Sequence, residues 1–170
     1  MTIITKFKNV SVRGRYAYAI FCLEAYFKQK KYDTIPTNLI LNTLWTAVEK
    51  EGYLDDFNII LETIPESIIE DKILDFPDFE TPKKDCLLLY DFYKGKEEEL
   101  NDVIESIIEI YRISLHTVVL DDYTLETLSS VFHFMDKHKV PLPCYDKILT
   151  YSIEEKGGWG HPRDRESLRC

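Results

Sequence analysis

Apolar residues recur along this chain at the spacing of helices. Tyr16, Ile20, Leu23 and Phe27 fall at i, i+4, i+7 and i+11, one face of a helix. The flanks carry Ala17, Ala19, Phe21, Cys22 and Ala25, and Glu24 is the sole charge between Arg15 and Lys28. A helix over about 14–29 is therefore expected to be buried on nearly every side and to form the centre of the fold. Asp33 or Thr34 caps the next helix, with Pro36 in the first turn, where a missing N–H costs nothing. Leu41, Leu44, Trp45 and Val48 line its inner face, and Gly52 ends it.

Residues 55–76 read as two short helices broken before Pro65. Thr81-Pro82 opens another, which stops at Gly95. The broadest stripe is Leu100, Val103, Ile104, Ile107, Ile108, Tyr111 and Leu115, and it predicts a helix over about 97–116. Leu125, Leu128, Phe132 and Met135 predict another over 124–138. Pro141 and Pro143 then break the chain, and a last helix is expected over about 144–155. Strand-like alternation with hairpin dipeptides is absent. The expectation is all-α: one domain over residues 1–170, a bundle of six to eight helices around the buried N-terminal helix. No fixed-period repeat stands out, although helix pairs spaced about 40 residues apart leave a solenoid open.

Composition agrees with a self-sufficient core. At 45% apolar and 13% aromatic, the 170 residues can fold without metal or disulfide support. The apolar runs are too short to cross a membrane, and the basic start MTIITKFKNVSVRGR lacks the apolar stretch of a signal peptide. Cys22, Cys86, Cys144 and Cys170 are scattered, with no C-x-x-C pair, and read as reduced thiols in a cytoplasmic protein.

Charge changes the picture more. The net charge of −9 argues against direct nucleic-acid binding. It is also uneven: residues 1–32 carry +6, whereas 55–80 and 97–126 each carry −8. Such fields favour capture of a basic partner. Two acidic surfaces compete for that role. The first is the irregular stretch with Asp55, Asp56, Glu62, Glu66, Glu70 and Asp71. The second is Glu98, Asp102, Glu105 and Glu109, which fall within about 60° of one another opposite the apolar stripe. A regular charged helix face is commonly only solvated, so the first surface is preferred.

Candidate chemistry is thin. His133 and His138 point about 140° apart on a helix, which does not suit a shared metal ligand pair at i, i+4. A Cys–His nucleophilic pair lacks local support, since Cys22 sits in the most apolar helix. Carboxylates are too plentiful to single out an acid/base pair, and Glu24 reads as a structural ion pair with Arg13, Arg15 or a lysine. Catalytic residues, metals and cofactors are therefore not expected. In KGGWG (156–160) the glycines follow a helix instead of preceding one, unlike a phosphate-binding loop. Gly157 or Gly158 fits a left-handed helix cap, and Trp159, with Gly160 behind it, fits an anchor folding the tail onto the body. Trp45 is read as structural in the same way.

VRGRYAYAIFCLEAYF (12–27), Leu44-Trp45, IPE (64–66) and GWG (158–160) together give the chain a further character. It resembles the all-α immunity proteins encoded beside bacterial polymorphic and contact-dependent growth-inhibition toxins. The R-G-R start of the long helix and the closing Gly-Trp-Gly are the most specific features. They lie at opposite ends of the chain. The middle third, with YLDDFNIILETIPE, departs from the tryptophan-richer sequence of that family. The resemblance implies a cytoplasmic binding protein without catalytic residues. Such a protein neutralises a cognate toxin domain by covering its active site or substrate cleft. An acidic inhibitor suits a nuclease toxin with a basic cleft. A helical adaptor module, or a small hydrolase with a pocket around Glu24 or a His–Cys pair, is the competing reading.

Overall fold

α1 (Val12–Lys30) is the axis around which the rest is laid. Ser11 Oγ accepts the Gly14 N–H and starts it, and Lys31, in the left-handed conformation, ends it. Tyr16, Ala17, Tyr18, Ala19 and Ile20 are wholly buried because α2 (Thr34–Glu49), α6 (Glu98–Arg112) and α7 (Tyr123–Lys137) all pack against this helix. α3 (Asp55–Glu62), α4 (Pro65–Glu70) and α5 (Lys83–Lys94) complete the set. The computed structural model describes residues 3–51, 55–76, 78–112 and 122–170. Among these it has seven α-helices and a single isolated β-bridge, Val10 with Ser152. This is the all-α single domain that the periodicity predicts. No described helix is long and apolar enough to cross a membrane.

Local signals explain most element boundaries. The Asp33 carboxylate accepts the Ile35 N–H at 2.9 Å, so Asp33 caps α2, and Pro36 lies in the first turn. Trp45 is buried on the inner face of α2, edge-on to Phe21 at 4.9 Å between ring centroids. α2 ends at Glu49; Gly52, expected to end it, lies outside the described residues, as do Leu115 and His116. α3 and α4 are broken before Pro65 as expected.

The expected helix over 144–155 is not formed. That stretch runs through turns, with a single 3-10 turn at Ile148–Thr150. Its backbone pairs elsewhere: Tyr151 C=O accepts the Ser11 N–H and the Ile153 N–H donates to Asn9 C=O, both at 2.9 Å. Tertiary pairing with the N-terminal segment overrides an adequate local helix pattern. Gly157 and Gly158 of KGGWG accordingly lie within a 3-10 turn, Glu155–Gly158, in which Lys156 and Gly157 are both left-handed, and do not cap a preceding helix.

The two ends of the chain meet. Arg13 and Arg15 are buried, yet they hydrogen-bond to carbonyls and a hydroxyl. Arg13 donates to Ala47, Lys50 and Gly160 carbonyls, and Arg15 to Phe7 and Lys8 carbonyls and the Thr124 hydroxyl. Burial lowers the Arg15 guanidinium to about 10, with Asp122 opposing. Between the two arginines, Gly14 has no room for a side chain: a Cβ would lie 2.6 Å from Val10 and 2.7 Å from Tyr151.

The tail then returns along α2. The Arg163 N–H donates to Val48 C=O, and the Arg165 N–H to Glu49. Two expectations are corrected here. Glu24 pairs with Arg169, one guanidinium nitrogen donating to both carboxylate oxygens at 2.9 and 3.0 Å, and not with Arg13, Arg15 or a lysine. Cys144 and Cys170 form a disulfide, with Cα atoms 6.2 Å apart, and are not free thiols. Long sequence separation hid both pairings.

Candidate functional site

The two acidic stretches divide by what their carboxylates do. Glu62 is committed to the fold: its oxygens accept the Glu80 and Thr81 N–H groups and the Thr81 hydroxyl, at 2.8–2.9 Å. This pins the turn before α5. Asp71 is half-buried and forms the C-terminal boundary of α4. Glu66 and Glu70 are exposed. Asp55 and Asp56 open α3 by their backbone; their side chains lie outside the described residues.

Glu105 joins the first stretch to the second. α4 begins at Ile64-Pro65 without a side-chain cap of its own, and the Glu66 N–H donates instead to Glu105 Oε1, at 3.0 Å, from α6. A carboxylate on one helix thus caps the N-terminus of another, where the backbone donors and the helix dipole favour an anion. Burial raises the Glu105 carboxyl above its usual range, the Glu66 N–H pulls it back, and the neighbouring Glu66 and Glu109 charges raise it again. Glu98 and Asp102 are exposed on the same helix, and Glu109 pairs with Arg112. The two candidate surfaces are therefore neighbours across the α4–α6 seam. Beside Glu66 and Glu70 stand Ile69 and Ile73, 40% and 90% exposed.

α6 and α7 run antiparallel: Glu99, near the start of α6, pairs with Lys137 and His138 at the end of α7. Lys137, then His138, holds the Glu99 carboxyl low. Two hollows lie between these helices, of about 220 and 340 Å³, and both touch Ser106 and Ser130. Glu126 and Tyr123 line the larger one and were not singled out from the sequence. The small serines at facing positions were the available signal.

The reactive side chains offer little. Cys22 and Cys86 are buried, and burial pushes the Cys22 thiol well up and the Cys86 thiol to about 11, so neither is a ready thiolate. Cys144, Asp146 and Cys170 bring their ligand atoms within 4.8 Å, but both sulfurs are spent in the disulfide. Trp159 is half-buried, its ring 5.7 Å from that of Tyr111, and its carbonyl accepts the Arg13 N–H. Gly160 has φ +83°, and a Cβ there would lie 2.3 Å from Ser11 Oγ. Compared with known proteins, the chain matches no family model, no curated protein and no solved structure.

Proposed function

We propose that this is an immunity protein, which binds a basic toxin domain in the cytoplasm of the producing cell and covers its active site or substrate cleft. The observation that carries the reading is the meeting of the two acidic stretches at the α4–α6 seam, through Glu66 and Glu105. A single acidic face, with exposed Ile69 and Ile73 beside it, matches the charge of a nucleic-acid substrate and adds an apolar anchor that such a substrate lacks. The R-G-R and G-W-G resemblance supplies the toxin class of partner. In this reading the protein needs no catalytic group.

Co-expression with the toxin domain encoded beside it tests the proposal. The expected result is restored growth and a one-to-one complex that excludes the toxin's substrate. Growth arrest that persists at full expression of the protein, with no complex on gel filtration, overturns it.

A further inference from the structure

We infer that the trough between α6 and α7 is the seat of a cationic segment of the partner, about ten residues long, which sets Lys or Arg side chains against Asp102, Glu105 and Glu126. The inference rests on the immunity reading and names the part of the partner that the protein grips. Ser106 and Ser130 border both hollows, so the two adjoin along the α6–α7 groove and together make up the trough. From Glu99 to Glu109 it follows α6 for ten residues, about 15 Å at the helical rise. That length fits three turns of a docked helix, and the trough is open along it.

Its charges are not equivalent. At one end Glu99 is paired with Lys137 and lies against His138, and at the other Glu109 is tied to Arg112. Between them Asp102 and Glu126 make no ion pair with another described residue, and Glu105 accepts the backbone N–H of Glu66. The unbalanced charge thus lies mid-trough. Val103 and Phe134 form an apolar floor, and Tyr123, 49% exposed, presents a ring at the edge on which a guanidinium can stack. A purely apolar occupant would strip water from these carboxylates without pairing them, and an anionic one would be repelled. Lys or Arg on one face of a short amphipathic segment satisfies both the walls and the floor.

The probe is a fluorescein-labelled ten-residue helical peptide carrying Arg at positions i, i+3, i+4 and i+7 among Ala and Leu, with a Glu-for-Arg analogue as control. Full-length protein is expected to bind the Arg peptide at least about tenfold more tightly than the analogue. Ser106→Trp and Ser130→Trp fill the trough without altering charge and should each weaken binding about tenfold or more, whereas Asp91→Asn, exposed on α5 and outside both acidic stretches, should change it less than about twofold. Where a Trp variant fails to fold, the near-isosteric Asp102→Asn/Glu126→Gln pair replaces it, with the same loss expected. Equal affinity for the two peptides, or unchanged binding in the filled or neutralised variants, overturns the inference. The growth assay keeps the two readings apart. Rescue that survives a filled trough sinks the trough and leaves the immunity reading standing. Failure of rescue by the unmodified protein sinks the immunity reading, and the peptide titration then decides the trough alone.

Discussion

The Arg13 guanidinium donates to the Gly160 carbonyl, joining the first turn of the central helix to a loop ten residues from the end of the chain. The same side chain reaches the Ala47 and Lys50 carbonyls at the end of α2. One fork therefore closes a helix C-terminus and a left-handed loop together. Lys has a single donor head and cannot span three carbonyls. Arg13→Leu takes this donor from the buried Ala47 and Gly160 carbonyls, with an expected loss of about 2–4 kcal/mol. Arg13→Lys should recover less than half of it. Chemical denaturation of both variants checks this, and a Lys variant as stable as the wild type would show that the fork is not needed.

Trp159 is a half-buried ring beside Tyr111, not a fully enclosed one. Full burial would make Trp159→Ala cost about 3–5 kcal/mol, so the expected loss here is about 2 kcal/mol, a fall in Tm of about 4–8 °C. Calorimetry measures the fall. An unchanged Tm with lost partner binding would make Trp159 a contact residue.

The disulfide closes a loop with 26 residues of separation, worth about 3–4 kcal/mol by chain entropy alone. Reductant should lower the melting temperature of the oxidised protein and leave Cys144→Ser/Cys170→Ser unmoved. In a reducing cytoplasm the cross-link is lost. The tail then stays closed through Arg169 on Glu24, Arg163 on Val48 and Glu155, and buried Leu168. Thiol titration of the reduced protein should therefore find Cys144 and Cys170 reactive at temperatures where Cys22 and Cys86 are still protected in the core. Unfolding of the whole domain on reduction would contradict this.

The helices were legible because their signals are local. The stripe from Leu100 to Tyr111, the Asp33 cap and the break before Pro65 each need only a few neighbouring residues. What was illegible depended on distant partners. The 144–155 segment has a serviceable helix pattern, and only the position of Asn9 and Ser11 tells it to pair outward. Glu24 had three plausible basic partners nearby in sequence, and its actual one, Arg169, is 145 positions away. For the acidic surfaces, charge density was readable. That Glu62 is consumed by a turn, and that Glu105 links the two stretches, was not.

Glu105 carries a pH signature. Its carboxyl is raised in the folded state, mainly by burial, so the native protein holds that proton more tightly than the unfolded chain does. The resulting stability is fully present below the unfolded value and is lost as pH rises through the folded one. Glu105→Gln keeps an acceptor for the Glu66 N–H and removes the desolvated charge. Its melting temperature should equal or exceed that of the wild type at neutral pH, and the difference should shrink as pH falls toward about 4. Glu105→Ala, which uncaps α4, should instead lose about 0.5–2 kcal/mol. A Gln variant less stable than the wild type at neutral pH would mean the ionised carboxylate is favoured there.

The acidic face gives the last prediction, and the structure dictates which substitutions can test it. Glu62→Lys is unsuitable, because it removes the acceptor of three hydrogen bonds in the turn before α5 and would lose binding through the fold. Glu66 is suitable: its side chain is exposed, and the bond to Glu105 is made by its backbone N–H, which Lys retains. Glu70 and Asp102 are likewise exposed. Because Glu66 and Glu105 hold α4 against α6, charge on either helix acts on one approaching partner. Glu66→Lys/Glu70→Lys and Asp102→Lys should therefore both slow association with the toxin domain, each by about tenfold at low salt. The differences should shrink above physiological ionic strength, as the screening length falls below about 8 Å. Dissociation should change less for Glu66 and Glu70, whose rim charges act mainly on encounter, than for Asp102, which lines the trough. Ile73→Ser, uncharged and on a 90% exposed side chain, should leave stability and association rate nearly unchanged and quicken dissociation. Stopped-flow association at several salt concentrations separates these effects. If only one charge set alters the rate, the two stretches do not act as one face. If neither does, steering by the acidic surface is wrong.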